Sequence, residues 1–214
     1  MKFIEQLKER AKQNKKKIVL PETSDMRTIE AAGKVLAEGI ADIILVGDKE
    51  DIISRAGDID LSRASFVDPE NYDKFDEYVD AFVEMRRKKG MTPARAKELL
   101  LTNPLYFGCM MVKQDDADGM VAGAINASAD VLRAALQTLK TAPGTRIVSA
   151  FFLVVVPDCE WSICILRCRI KPKSISIRAG RYRRAVSKVI SASRTGRACC
   201  GYAFTLNKGQ CKAS

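Results

Sequence analysis

The residues best placed to do chemistry sit in "GAINASADVLR", Gly123 to Arg133. A glycine lets backbone come close to a bound group, and Asn126 and Ser128 can either cap a helix or hold an anion. Arg133 follows more than one helical turn later, and a guanidinium gives paired hydrogen bonds to phosphate oxygens. The same residues also read as an ordinary cap followed by a surface arginine, and spacing alone leaves both readings open. A second cationic cluster, "EMRRKKG", contains Arg86 and Arg87. Four cations at a helix end suit the helix dipole without any ligand, so the structural reading is favoured there. "GDKEDI" reads as a turn rather than a site. The chain has no histidine, and its cysteines form no CxxC pair, so no metal site is expected.

The elements that must position these residues follow from hydrophobic period. A charged amphipathic helix is predicted over Ile4–Gln13, and "KIVLPE" is a short apolar strand ended by Pro21. Met26–Gly39 carries Ile29, Val35 and Leu36 at helical spacing and closes on glycine. "ADIILVGD" is a buried strand, so this strand–helix–strand unit predicts parallel pairing with a crossover helix. Next come a short strand in "SFVDPE" and a long helix over Tyr72–Lys89, with Tyr78, Phe82 and Met85 on its apolar stripe. "TPARAKELLL" opens a helix with Thr92 as N-cap and Pro93 in first position. A short helix over Leu105–Lys113 follows. Then "DGMVAGAI" reads as a strand, "SADVLRAALQTLK" as a helix and "IVSAFFLVVV" as a strand. Alternation of this kind predicts a three-layer αβα fold with a mostly parallel sheet.

Charge divides the chain. Its 214 residues carry a net charge of +10, yet residues 1–158 hold 23 Lys/Arg against 25 Asp/Glu. Residues 159–214 hold 13 cations against one acid, Glu160, and six of the seven cysteines. The basic stretch invites a polyanion-binding reading. The opening segment lacks the apolar run of a signal peptide, and the apolar run Ile147–Val156 is about half the length a bilayer demands. A cytoplasmic protein with reduced cysteines is therefore expected, with no membrane partner.

Several stretches resemble the phosphate acetyltransferases (phosphotransacetylases) in order and spacing: "LPETSDMRTIEAA", "ADIILVGD", "RKKGMTPARAKELL", "FGCMMVKQDDADGMVAGAINASADVLRAALQTLKTAPG" and "VSAFFLVVVPDCE". The likeness is continuous from residue 1 to about 160. Phosphate butyryltransferases share the architecture but match these strings less well. The resemblance implies an isocitrate/isopropylmalate dehydrogenase-like fold of two α/β domains around a cleft, and a homodimer. It also implies reversible transfer of an acetyl group between coenzyme A and inorganic phosphate. CoA is then a substrate; no metal or tightly bound cofactor is required. In the family the CoA thiolate attacks the carbonyl of acetyl phosphate, arginines hold the phosphate, and an aspartate late in the chain takes the thiol proton. Arg133 is then a substrate-holding arginine and Arg86 or Arg87 a CoA- or phosphate-contacting one. Ser128 donates a hydroxyl, and Ser149 faces the cleft. Where the family usually has proline after this arginine, the chain reads "LRAALQ".

After Asp158 the pattern breaks. When the degenerate codons of Cys199–Ala213 are read one nucleotide forward they permit "VVAMLSHSTKGSAKH", and those of Lys171–Ile190 permit "NPNPSASELAAIAVQSAKSF". Both resemble family segments at the expected places, and Arg167–Ile170 permits "DAGL" in the same frame. The expectation is a frame-shifted translation from about 159–162 onward, which explains the arginines without nucleic acid. This predicts an N-terminal α/β domain over 1–145, the first strand of a second domain over 146–160, and a non-native, irregular, disordered basic tail over 161–214. The family's catalytic aspartate then lies in the lost region, so no catalytic residue is retained and little or no activity is expected.

Overall fold

The computed structural model describes residues 2–141, 148–155 and 163–170, with side chains described over residues 4–141. The chain divides into two units, residues 1–140 and 141–214.

In the first unit, strands β1 (Lys17–Leu20), β2 (Asp42–Val46), β3 (Ser65–Val67) and β4 (Gly119–Met120) form one parallel sheet in the order β3-β2-β1-β4. Alternation along the strands sends successive side chains to opposite faces. Val19, Ile44 and Val46 join one core with Tyr78, Phe82, Leu100, Phe107 and Met110. Leu20, Ile43 and Leu45 join the other with Ile29, Ala32, Leu36 and Ile52. Helices α2 (Met26–Glu38) and α3 (Lys49–Ala56) supply the second core, while α4 (Phe75–Arg86), α5 (Pro93–Thr102), α6 (Pro104–Lys113) and α7 (Ser128–Thr138) supply the first. The sheet is thus covered on both faces, as a parallel sheet must be. Helix α1 (Lys2–Gln13) precedes β1 and leaves Ile4 and Leu7 exposed.

Local signals act where the sequence puts them. Asp25 caps α2, Gly39 ends it in the left-handed conformation (φ 67°), and Thr92 caps α5 with Pro93 in the first turn. Four expectations change. "GDKEDI" is not a simple turn: Asp48 accepts from Asp51 N–H at 2.7 Å and nucleates α3. The helix expected from Tyr72 starts at Phe75, because Asp68 caps a separate 3-10 turn over Pro69–Asn71. The strand expected through "DGMVAGAI" stops at Met120, because the amides after Ala122 bond elsewhere, as shown below. Finally, regular structure does not end at residue 160. In the second unit β5 (Val148–Val155) pairs antiparallel with β6 (Ile163–Ile170), from Val148 opposite Ile170 to Val155 opposite Ile163. "ICILRCRI" is rich in residues that suit an extended backbone, and an apolar partner strand is near in sequence. The expectations for residues 171–214 lie outside the described residues.

Two carboxylates fix the entry to β4. The Asp118 carboxylate accepts from Lys17 N–H at 2.8 Å and from Lys16 Nζ at 3.1 Å, locking β4 beside β1. Ahead of it, Asp116 accepts from the Tyr78 hydroxyl and from Lys74 Nζ, tying this turn to α4 and the residue just before it.

Candidate functional site

Parallel pairing brings the carboxyl ends of β1, β2 and β4 to one edge of the sheet, where α/β folds place their ligands. The segment after β1, Pro21–Asp25, and the segment after β4, Val121–Ala127, meet there. Val121 N–H continues the ladder to Val19 C=O at 3.0 Å, and then the backbone turns away. Gly123 adopts φ +112°, a conformation that excludes most side chains. From this point four successive amides converge on one carboxylate. Gly123 and Ala124 N–H donate to Glu22 Oε2 at 2.6 Å each. Ile125 and Asn126 N–H donate to Oε1 at 3.2 and 2.8 Å, and Asn126 Nδ2 donates to the same oxygen at 2.8 Å.

This is an anion nest whose anion comes from the chain itself. Glu22 is only 3% exposed. Burial alone would raise its carboxyl, but the hydrogen bonds from Asn126, Ala124 and Gly123 outweigh burial and hold it below the ordinary carboxylate range. The neighbouring residues brace the same loops. Thr23 Oγ1 donates to Val46 C=O at 2.6 Å, Arg55 Nη1 donates to Thr23 C=O at 2.7 Å, and Arg27 Nη2 donates to Ala124 C=O at 2.7 Å.

The sequence offers Gly123 for close backbone approach and Asn126 as a cap or anion ligand, and in the structure both donate to an internal anion, Glu22. Asn126 spends both its amide and its side chain on Glu22, so the cap position of α7 falls to Ala127, which makes no side-chain cap bond. Ser128 opens α7 and is itself engaged. Glu22 is the residue the sequence pattern missed. The only signal was an acid directly after a buried strand, in "VLPE", and its partners lie 101 to 104 residues away.

A second cluster forms where α4, α6 and α7 meet. Tyr106 on α6 is 7% exposed and donates its hydroxyl to Gln137 Oε1 at 3.2 Å. Burial raises its phenol, and the positive charges of Arg133 and Arg86 oppose that rise. Both guanidiniums therefore lie within electrostatic reach of one hydroxyl. Arg133 pairs with Asp130 on its own helix, and its side chain is 58% exposed. Arg86 Nε is buried and makes no hydrogen bond among the described residues. Arg87 stands apart: its side chain is 78% exposed, and it reaches only Glu84, at 3.9 Å. The two arginines in "EMRRKKG" thus differ in setting: Arg86 has a buried Nε and acts electrostatically on Tyr106, whereas Arg87 is exposed. The side chain of Ser149 on β5 lies outside the described residues.

Chemically, the two guanidiniums carry the positive charge that suits an anion, and the cluster holds no activated nucleophile among the described residues. Cys109 is buried, and burial pushes its thiol up to about 11, so it stays protonated at neutral pH. Among the described residues no group of three or more His, Cys, Asp or Glu could hold a metal ion, and no helix is long and apolar enough to cross a membrane.

A family profile described as "Phosphate acetyl/butaryl transferase" matches residues 2–174. Phosphate acetyltransferase from Thermoanaerobacterium thermosaccharolyticum is 52% identical over 161 residues, which are 75% of this chain and 49% of that protein. The namesake from Acetivibrio thermocellus is 52% identical over 161 residues, 75% of this chain and 48% of that one. Among solved structures, a phosphotransacetylase from Streptococcus pyogenes superposes with a TM-score of 0.68 at 33% identity, covering 82% of this chain and 52% of its own. The chain spans about half the length of the curated relatives it matches.

Proposed function

Because the chain belongs to the Phosphate acetyl/butaryl transferase family, we propose that it descends from a phosphate acetyltransferase and keeps part of that enzyme's substrate-holding surface. The reaction is reversible transfer of an acetyl group between coenzyme A and inorganic phosphate, with acetyl phosphate as the phosphorylated partner. The observation that carries the reading is the family match over residues 2–174, and Arg86 on α4 and Arg133 on α7 supply the cationic side chains it calls for, both within electrostatic reach of Tyr106. Two guanidiniums at one place attract a phosphate-bearing ligand, and each offers paired N–H donors to its oxygens. Arg86, whose Nε makes no hydrogen bond among the described residues, has guanidinium donors to offer such a group. Arg133 exchanges Asp130 for it. CoA is held as a substrate, with no tightly bound cofactor; an intact family member works as a cytoplasmic homodimer.

In this reading residues 1–145 are the N-terminal domain, 146–160 begin the second, and 161–214 are translated out of frame. The change in composition after Asp158 supports it: one acid against 13 cations in residues 159–214. The carboxylate base and the far wall of the cleft are then missing, and the chain is a non-catalytic remnant that binds CoA or phosphate or pairs with intact subunits. Formation of acetyl-CoA from acetyl phosphate by the purified chain should be at background, while calorimetric titration with CoA should show salt-sensitive binding. Arg86→Gln and Arg133→Gln should each weaken that binding. Turnover comparable with an intact phosphate acetyltransferase would overturn the inactive reading; absence of CoA binding would overturn the remnant reading. The nucleotide sequence around codon 160 decides the reading frame.

A further inference from the structure

We propose that Glu22 is a positioning residue: by clamping the loop over residues 123–126, its carboxylate sets the start of α7 and thereby the placement of Arg133. The proposal concerns the same cluster as the function above and rests on Arg133 being a ligand-holding residue.

The clamp has two sides. Glu22 accepts all four backbone N–H groups from Gly123 to Asn126, and the Asn126 side chain as well. Five residues further along, in the first turn of α2, Arg27 donates to the Ala124 carbonyl, and Arg27 is itself held by Asp25 through Nε and Nη2. One short segment therefore satisfies both the donors and an acceptor of the loop. The clamp stands in for local capping. Ala127, at the N-cap of α7, makes no side-chain cap bond, so the approach to this helix is fixed largely by the long-range contact. The loop packs little of its own side-chain surface: Val121 is 62% exposed and Ile125 55%. A segment with few buried apolar contacts opens easily unless polar contacts hold it. Those contacts are charge-assisted and nearly removed from water, which makes them strong. The geometry also assigns the nest its anion. A phosphate cannot occupy these amides while Glu22 does, so phosphate recognition moves to the arginines that α4 and α7 carry.

The test uses Glu22→Gln, which keeps side-chain volume but presents an NH2 group to two of the loop donors. Amide hydrogen exchange is followed by mass spectrometry on the full chain, and CoA affinity is measured by calorimetry. The expected result is exchange at least about tenfold faster in residues 121–127 and in the first turn of α7, from loss of hydrogen bonds to a charged group. Exchange in β2 and α3 should be unchanged, and CoA affinity should fall several-fold. Glu22→Asp, which retains the charge, should recover part of both losses. Unchanged exchange in α7 would overturn the proposal, as would a loosened α7 with unchanged CoA affinity. If the parent chain binds no CoA, the functional reading fails, while the exchange data still decide whether Glu22 sets α7. Should Glu22→Gln not fold, Asn126→Ala removes only the side-chain contact, one of the clamp's five, and the same exchange measurement decides.

Discussion

The hydrogen-bonded chain Tyr72–Tyr78–Asp116–Lys74 allows a sharp test of the packing described above. Tyr78 is 1% exposed; its hydroxyl donates to Asp116 Oδ2 at 2.5 Å and lies 3.2 Å from the Tyr72 hydroxyl. Lys74 Nζ donates to Asp116 Oδ1, and the Asp116 side chain is 19% exposed. The two ends of the Tyr78–Asp116 bond are therefore not equivalent. Tyr78→Phe keeps the ring packed on Phe107, at a 5.6 Å centroid distance, and leaves the carboxylate with Lys74 and some water. A bond to a charged group is lost with partial replacement, costing about 1–1.5 kcal/mol. Asp116→Ala leaves a buried hydroxyl with only Tyr72 and strips Lys74 of its partner, costing about 2–3 kcal/mol. Urea unfolding followed by far-ultraviolet circular dichroism should give that order, with unchanged m-values. The double variant should show a coupling of about 1 kcal/mol. Burial tends to raise the Asp116 carboxyl, but Lys74 and Tyr78 hold it below its ordinary value of 3.8. A depressed carboxylate stabilises above the unfolded pKa, and its contribution is lost as pH falls through the folded one. The gap between parent and Asp116→Ala should accordingly narrow below about pH 4. Tyr78→Phe costing as much as Asp116→Ala, or a coupling near zero, would refute the reasoning.

Glu22 follows the same sign: its depressed carboxyl makes acid unfolding of the parent steeper, and Glu22→Gln should flatten stability against pH below about 4.5, read by the unfolding midpoint across a pH series. Gly33 in α2 is the reverse of an ordinary helix glycine, because a Cβ there overlaps Ile59 Cγ2. Gly33→Ala should therefore destabilise by about 1–2 kcal/mol in urea rather than stabilise, and Ile59→Ala added to it should recover part of the helix gain. Asp130→Asn frees Arg133 from an exposed pair, and calorimetry should find CoA binding about two- to fivefold tighter at low salt.

How much of this was legible in one dimension follows from the range of the interactions. Caps, turns and period are local. Asp25, Gly39, Thr92 and Pro93 act on residues a few positions away, so the helices and parallel strands of the first unit were readable from the pattern. Local misreadings arose where two local signals competed, as at Asp48 and at Asp68, each of which starts a helical turn inside a stretch read as turn or strand.

The sequence by itself therefore determined the order of strands and helices, the two-faced parallel sheet, the family and the change in composition at Asp158. Only the tertiary structure decided who occupies the nest. "GAIN" advertises free amides in any linear reading, and whether those amides meet a ligand or a carboxylate depends on the pairing of β1 with β4, about a hundred residues apart. The same holds for the arginines. Adjacent in sequence, Arg86 and Arg87 are chemically alike, and they separate only because α4 packs against α6 and α7, burying the Nε of one and leaving the other side chain in water. Hydrogen bonding and desolvation act through space, so the chemistry of these residues was settled by packing.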